Sequence, residues 1–233
     1  MGSLMISKRM ALVGDALGHV ALPGMGLALL LGWNVSIGAF FSLILGITLV
    51  WLFGFRTVLS METLVGIVFV ASLAIGFLII PKFEIMEALV GDISSVSFQG
   101  GIIAVILSVG AVILVRWIYR GLTLANISED LAETQGIRVK EINLLFLFAV
   151  AVIVALGVRV TGTLLVGALV IIPAAVSRNI SKSLGRYSAG SMIIGMLSCA
   201  AGVIISRITG WAPGPLIIVV SLSLFLVSLM LKK

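Results

Sequence analysis

Apolar stretches broken at short intervals by charged and turn-forming residues dominate the chain. Eight can be read: about Met10 to Leu31, Ser36 to Phe53, Thr63 to Ile80, Gln99 to Tyr119, Ile142 to Val158, Leu164 to Val176, Tyr187 to Ser206 and Pro213 to Leu231. Most approach the roughly 20 residues that carry an α-helix across about 30 Å of hydrocarbon. The pattern predicts an all-α polytopic membrane protein of about eight transmembrane helices, with residues 1–233 forming a single domain. The sixth stretch, 13 residues long, is short for a crossing. It predicts a tilted, broken or re-entrant segment, which is tolerated where protein or water covers the backbone. Pro173, in Ile171-Ile172-Pro173-Ala174-Ala175, supports a break, since proline removes a helix hydrogen bond and crowds the preceding turn.

Two connections exceed a simple turn. In the first, 121–141, Ser128-Glu129-Asp130-Leu131 predicts a short surface helix with a serine cap and an acidic first turn, stopped at Gly136. The second, 173–186, carries Arg178, Asn179, Ser181, Lys182 and Arg186 among small residues. That composition suits docking of a soluble partner, or plain anchoring by positive charge. A third connection, Pro81 to Phe98, holds Glu84, Glu87 and Asp92, which reads as a solvated loop or as an acidic entrance that attracts cations.

Charge adds an orientation. With eight crossings, one side collects Lys8, Arg9, Arg56, Arg116, Arg120, Arg138, Lys140, Arg178, Lys182, Arg186, Lys232 and Lys233, while the other holds Lys82, Arg159 and Arg207. Twelve against three predicts that both termini, and the two longer connections, are cytoplasmic in a multi-pass cell-membrane protein. The net charge of +6 lies in short loops, not on one basic surface, so no nucleic-acid partner is implied. The first apolar stretch reads as a span, not a cleavable leader. Trp33, Trp51, Trp117 and Trp211 fall near segment ends, as interface anchors do, and Met25, Met61, Met192 and Met196 read as packing. Cys199, the sole cysteine, lies inside an apolar run and offers no disulfide. No GxxxxGK[ST], HExxH or GxSxG motif occurs. The chain therefore does not read as an enzyme, and any use of ATP requires a separate ATPase chain.

Candidate chemistry concentrates in Gly14-Asp15-Ala16-Leu17-Gly18-His19. Ionisable groups inside a membrane segment cost several kcal/mol unless they face a partner, a cavity or an ion. Asp15 and the only histidine, four residues apart, share one helix face with Cβ atoms about 5 to 6 Å apart, close enough to ligate one ion. Carboxylate and imidazole suit zinc or manganese, but two ligands leave positions unfilled. A second copy across a two-fold axis would complete four, and the Gly14/Gly18 spacing permits close helix approach. The alternative is an Asp–His hydrogen bond within one protomer. An ion-coupled secondary carrier of a cation, a different class of protein, could use the same pair.

Lys8-Arg9-Met10 followed by GDALGHVALPGMGLALLLG resembles the opening of the permease subunits of zinc, manganese and iron ABC importers. The likeness continues in Glu62-Thr63-Leu64-Val65-Gly66-Ile67, in Leu89-Val90-Gly91-Asp92 and, most specifically, in the run from Gly162-Thr163-Leu164 through Ile172-Pro173-Ala174-Ala175. The resemblance implies a type II ABC importer-like permease bundle that forms a homodimer, binds cytoplasmic ATP-binding subunits and receives metal from an extracytoplasmic metal-binding protein. It implies transported Zn2+, Mn2+ or iron, with no permanently bound cofactor. The metal positions fall on Asp15 and His19, and the ATPase-docking segment on Pro173, Arg178, Asn179, Ser181, Lys182 and Arg186. It also implies an apolar segment ahead of the basic pair, where this sequence has Met1 to Ser7.

Overall fold

A computed structural model describes residues 1–8, 10–80, 98–181 and 183–230. Among these, ten helices and no strand are present. A short α1 (Gly2–Ser7) precedes α2 (Val13–Val20) and α3 (Leu22–Leu31), then α4 (Val35–Arg56) and α5 (Met61–Ile79). After them come α6 (Phe98–Ile127), α7 (Glu129–Thr134), α8 (Val139–Ile180), α9 (Leu184–Thr209) and α10 (Pro213–Met230). Seven stretches are long and apolar enough to cross a bilayer, and Leu165–Ile180 adds a shorter apolar helix. The expected all-helical membrane fold is therefore present, and its short sixth segment is the shorter helix.

The first predicted span is two helices in sequence. Pro23 sits in the first turn of α3 and has no N–H to return to the His19 carbonyl. The chain tightens there, with the Ala21 N–H reaching the Gly18 carbonyl at 3.4 Å, a three-residue turn of the kind that joins helices. The α2–α3 run is the inner element of the bundle: 67% of its membrane-length window is buried, against 17% to 39% for the other six. It packs on α4, α5 and α8. At the α3–α4 crossing the backbones themselves touch, since a Cβ on Gly38 would lie 2.7 Å from Ala28 Cβ and 2.9 Å from the Gly24 carbonyl carbon. Outward-facing side chains such as Phe41, Leu78 and Ile113 are exposed and apolar, as a hydrocarbon solvent requires.

The break expected at Pro173 is not there. Helix α8 runs through Pro173 to Ile180, and the chain instead reverses earlier, between Val158 and Leu165. Two contacts show the reversal. A Cβ on Gly157 would lie 2.6 Å from Val166 Cγ2, although nine residues of straight helix would separate those positions by roughly 13 Å. Likewise α1, only about 9 Å long, is tied at one end to Asn143 through Lys8 and lies at the other against Ala174, 3.1 Å from a Cβ on Gly2. The limbs Val139–Val158 and Leu165–Ile180 therefore fold back on one another. The second connection is correspondingly short: α8 ends at Ile180 and α9 begins at Leu184, capped by the Ser183 side chain.

Two other expectations stand in sharper form. Ser128 caps α7 by accepting the Leu131 N–H at 3.2 Å, and Gly136 ends that turn at φ +77°. Helix α6 continues to Ile127, past the expected end at Tyr119. The acidic residues Glu84, Glu87 and Asp92 lie outside the described residues, as do Arg9 and Lys182.

Candidate metal-ion site

Helix α2 is eight residues long and carries Asp15 in its first turn and His19 in its last. Its remaining residues, Val13, Gly14, Ala16, Leu17, Gly18 and Val20, are buried among α4, α5 and α8. This packing fixes the register of the two polar side chains, which are only partly buried. Depth follows from neighbours. Val20 lies against Gly46, the twelfth of 22 residues in α4, and its carbonyl accepts the Ser42 hydroxyl at 2.6 Å. The His19 ring lies 5.6 Å from that of Phe69, the ninth of 19 residues in α5. The imidazole thus sits near the middle of the membrane-spanning lengths.

Among the described residues neither group has a hydrogen-bonding or ionic partner. No described residue gives the Asp15 carboxylate a hydrogen bond or ion pair, and His19 Nδ1 is buried with no hydrogen-bond partner. The Asp–His hydrogen bond that would make the pair merely structural is not formed. Asp15 instead meets the second limb of α8, where a Cβ on Gly167 would fall 2.7 Å from Asp15 Cβ and 2.9 Å from its Cγ. Among the described residues no group of three or more His, Cys, Asp and Glu gathers in one place, so at this site they offer an ion one carboxylate and one imidazole. Phe69 and Gly167 were not visible as neighbours in the sequence, because each reaches α2 only through tertiary packing.

The expected docking residues lie elsewhere and are not all alike. Pro173 is buried inside α8, whereas Arg178 and Arg186 are exposed. The Asn179 amide donates to Ser228 Oγ on α10 at 2.9 Å, and Ser181 caps the end of α8 with its hydroxyl 3.3 Å from that of Ser177. Below them the buried Ser177 hydroxyl donates to the Tyr187 carbonyl at 2.8 Å and pins α9 to α8. This end of the bundle is firmly bonded, with two arginines turned out to solvent.

An apolar helical bundle whose innermost helix carries, among the described residues, an unpaired carboxylate and imidazole near mid-depth defines a polytopic membrane protein with a polar site in its interior. Residues 1–232 match the ABC 3 transport family, and the chain belongs to that family. It is 28% identical to the high-affinity zinc uptake system membrane protein ZnuB of Haemophilus influenzae, over all of this chain and 91% of that protein. Identity is 30% to ZnuB of Buchnera aphidicola, over 98% of this chain and 90% of the relative. The manganese import system permease protein ScaB of Streptococcus parasanguinis is 29% identical over 97% and 82%. Among solved structures, PsaBC from Streptococcus pneumoniae in complex with Fab superposes with a TM-score of 0.82 at 26% identity, covering 97% of this chain and 83% of that one.

Proposed function

We propose that the chain is the membrane-spanning permease subunit of an ATP-driven importer of a divalent metal ion, zinc or manganese. The observation that carries the reading is the unpaired Asp15 and His19 side chains, on the innermost helix of a chain that belongs to a transport family. Relatives named for zinc and for manganese uptake support both ions equally. Imidazole and carboxylate accept either, so the ligand types do not choose between them.

In this reading the permease is a homodimer in the cell membrane, and the second copy supplies another Asp15 and His19 to complete the ion's coordination. Because the four ligands come from two subunits, relative movement of the subunits opens the set and releases the ion. Capture of scarce metal belongs to an extracytoplasmic metal-binding protein. Cytoplasmic ATP-binding subunits supply the energy, since the chain carries no nucleotide-binding motif. They dock on the segment around Arg178, Asn179, Ser181, Lys182 and Arg186, with both chain termini on the same cytoplasmic side. Pro173, buried in the limb behind that surface, belongs to the docking segment as support for its backbone. ATP binding draws the docking surfaces together, and the packed helices pass between outward-open and inward-open arrangements.

Co-expression with its ATPase in cells deficient in zinc and manganese uptake tests the proposal. The expected result is copurification of the two chains and metal-dependent ATP hydrolysis in lipid. Uptake driven by an ion gradient with no ATPase present would replace the proposal with a secondary carrier.

A further inference from the structure

Asp15 and His19 share one short helix but lean on different elements. The imidazole packs beside Phe69 of α5, while the carboxylate lies over Gly167 in the second limb of α8. A side chain at 167 would have to enter space that Asp15 already fills, because even a methyl group there would lie 2.7 Å from Asp15 Cβ and 2.9 Å from Cγ. Both distances are inside van der Waals contact, and one of the atoms is the stiff base of the side chain, not its free end. The limb cannot easily retreat, since Leu165 and Val166 beside Gly167 are 1% and 4% exposed. Twelve residues on, about 18 Å along the helix, the same limb carries Asn179, bonded to Ser228 of α10.

We propose that Gly167 is the positioning residue for the Asp15 carboxylate, and that the limb Leu165–Ile180 sets where that carboxylate stands for the ion. The inference rests on Asp15 being a metal ligand. Because a packed helix moves as a unit, a displacement delivered near Asn179 reaches Gly167 and shifts the seat of the Asp15 carboxylate. The carboxylate's position is then governed by the element that ends at the proposed docking segment.

The test measures Mn2+ binding and thermal unfolding of the full chain in lipid nanodiscs. Gly167→Ala is expected to weaken Mn2+ binding by about 10- to 100-fold, the usual cost of disturbing a ligand's support, and to lower Tm. Gly202→Ala is a matched control, since its Cβ would meet Ile217 Cα at 2.7 Å in the α9–α10 seam. It is expected to lower Tm with Mn2+ affinity unchanged, so a general loss of packing cannot mimic the effect. Asp15→Gly combined with Gly167→Ala opens the crowded space and is expected to recover the Tm lost by Gly167→Ala alone. Should G167A not fold, a folded double variant supports the inference and an unfolded one overturns it. Wild-type Mn2+ affinity in G167A, with binding lost in Asp15→Ala, would overturn the positioning role and leave the metal site standing. Unchanged affinity in Asp15→Ala would end the ligand reading and this inference with it.

Discussion

A carboxylate and an imidazole that find no protein partner inside a bundle are expensive to keep there. In this chain the cost falls on Asp15 and His19, whose helix is otherwise buried and apolar. Asp15→Asn and His19→Ala are each expected to abolish metal uptake while the protein still inserts, as read by radiometal accumulation and membrane expression together. The pair was legible in the sequence because a spacing of four fixes a shared helix face whatever surrounds it. Its supports were not. Phe69 reads as one more apolar residue and Gly167 as one more glycine, and only the packing of α5 and α8 against α2 gives them a role. At the α3–α4 crossing, where backbones meet without side chains between them, Gly38→Ala is expected to cost about 1 to 3 kcal/mol by overpacking. Thermal unfolding in detergent measures it.

Helix boundaries followed closely from the sequence wherever they were set by chemistry within the chain. Ser128 and Gly136 delimit α7 as their local preferences require. Ser128→Ala is expected to remove about 1 kcal/mol from that helix by deleting its cap, measured as faster amide exchange over Glu129–Thr134 with the rest of the bundle unchanged. Run lengths likewise placed α4, α5, α9 and α10 to within a few residues, because an apolar run and a bilayer share one length scale. Proline misled for a physical reason. Its missing N–H argues for a break only where nothing else holds the helix, and the turns around Pro173 are packed between α1, α9 and α10. The actual reversal, between Val158 and Leu165, carries no proline and follows from how the two limbs pack. Pro23 did mark a junction, but the two short helices continue in sequence with αR geometry at Ala21, so one apolar run reads as one span.

On the scale of the molecule, α1, α6, α7 and α8 meet in a polar corner. The Asn126 amide donates to the Ser7 carbonyl at 3.1 Å, and the Lys8 ammonium donates to Asn143 Oδ1 and lies 5.8 Å above the Phe146 ring. Burial pushes the Lys8 ammonium below its ordinary 10.5, and the charge of Glu129 pulls part of the way back. Over the alkaline range between the folded and unfolded values the unfolded chain holds more protons, so stability should rise with pH toward 10.5. Lys8→Met is expected to flatten that rise, as read from chemical denaturation at several pH values. Asn143→Leu, which leaves the ammonium without its acceptor, is expected to cost about 1.5 to 3 kcal/mol.

The length of α6 has a consequence for where the bilayer sits. From Phe98 to Trp117 the helix climbs roughly 28 Å, close to a full hydrocarbon thickness, and ten further residues rise about 15 Å beyond. Trp117 is 77% exposed and lies next to Arg116, with Arg120 one turn on, the mixture that settles among lipid headgroups. Its indole is therefore a depth gauge. In a chain whose other three tryptophans are phenylalanine, bromine placed just under the headgroups should quench Trp117 fluorescence, while bromine at the acyl termini should leave it bright.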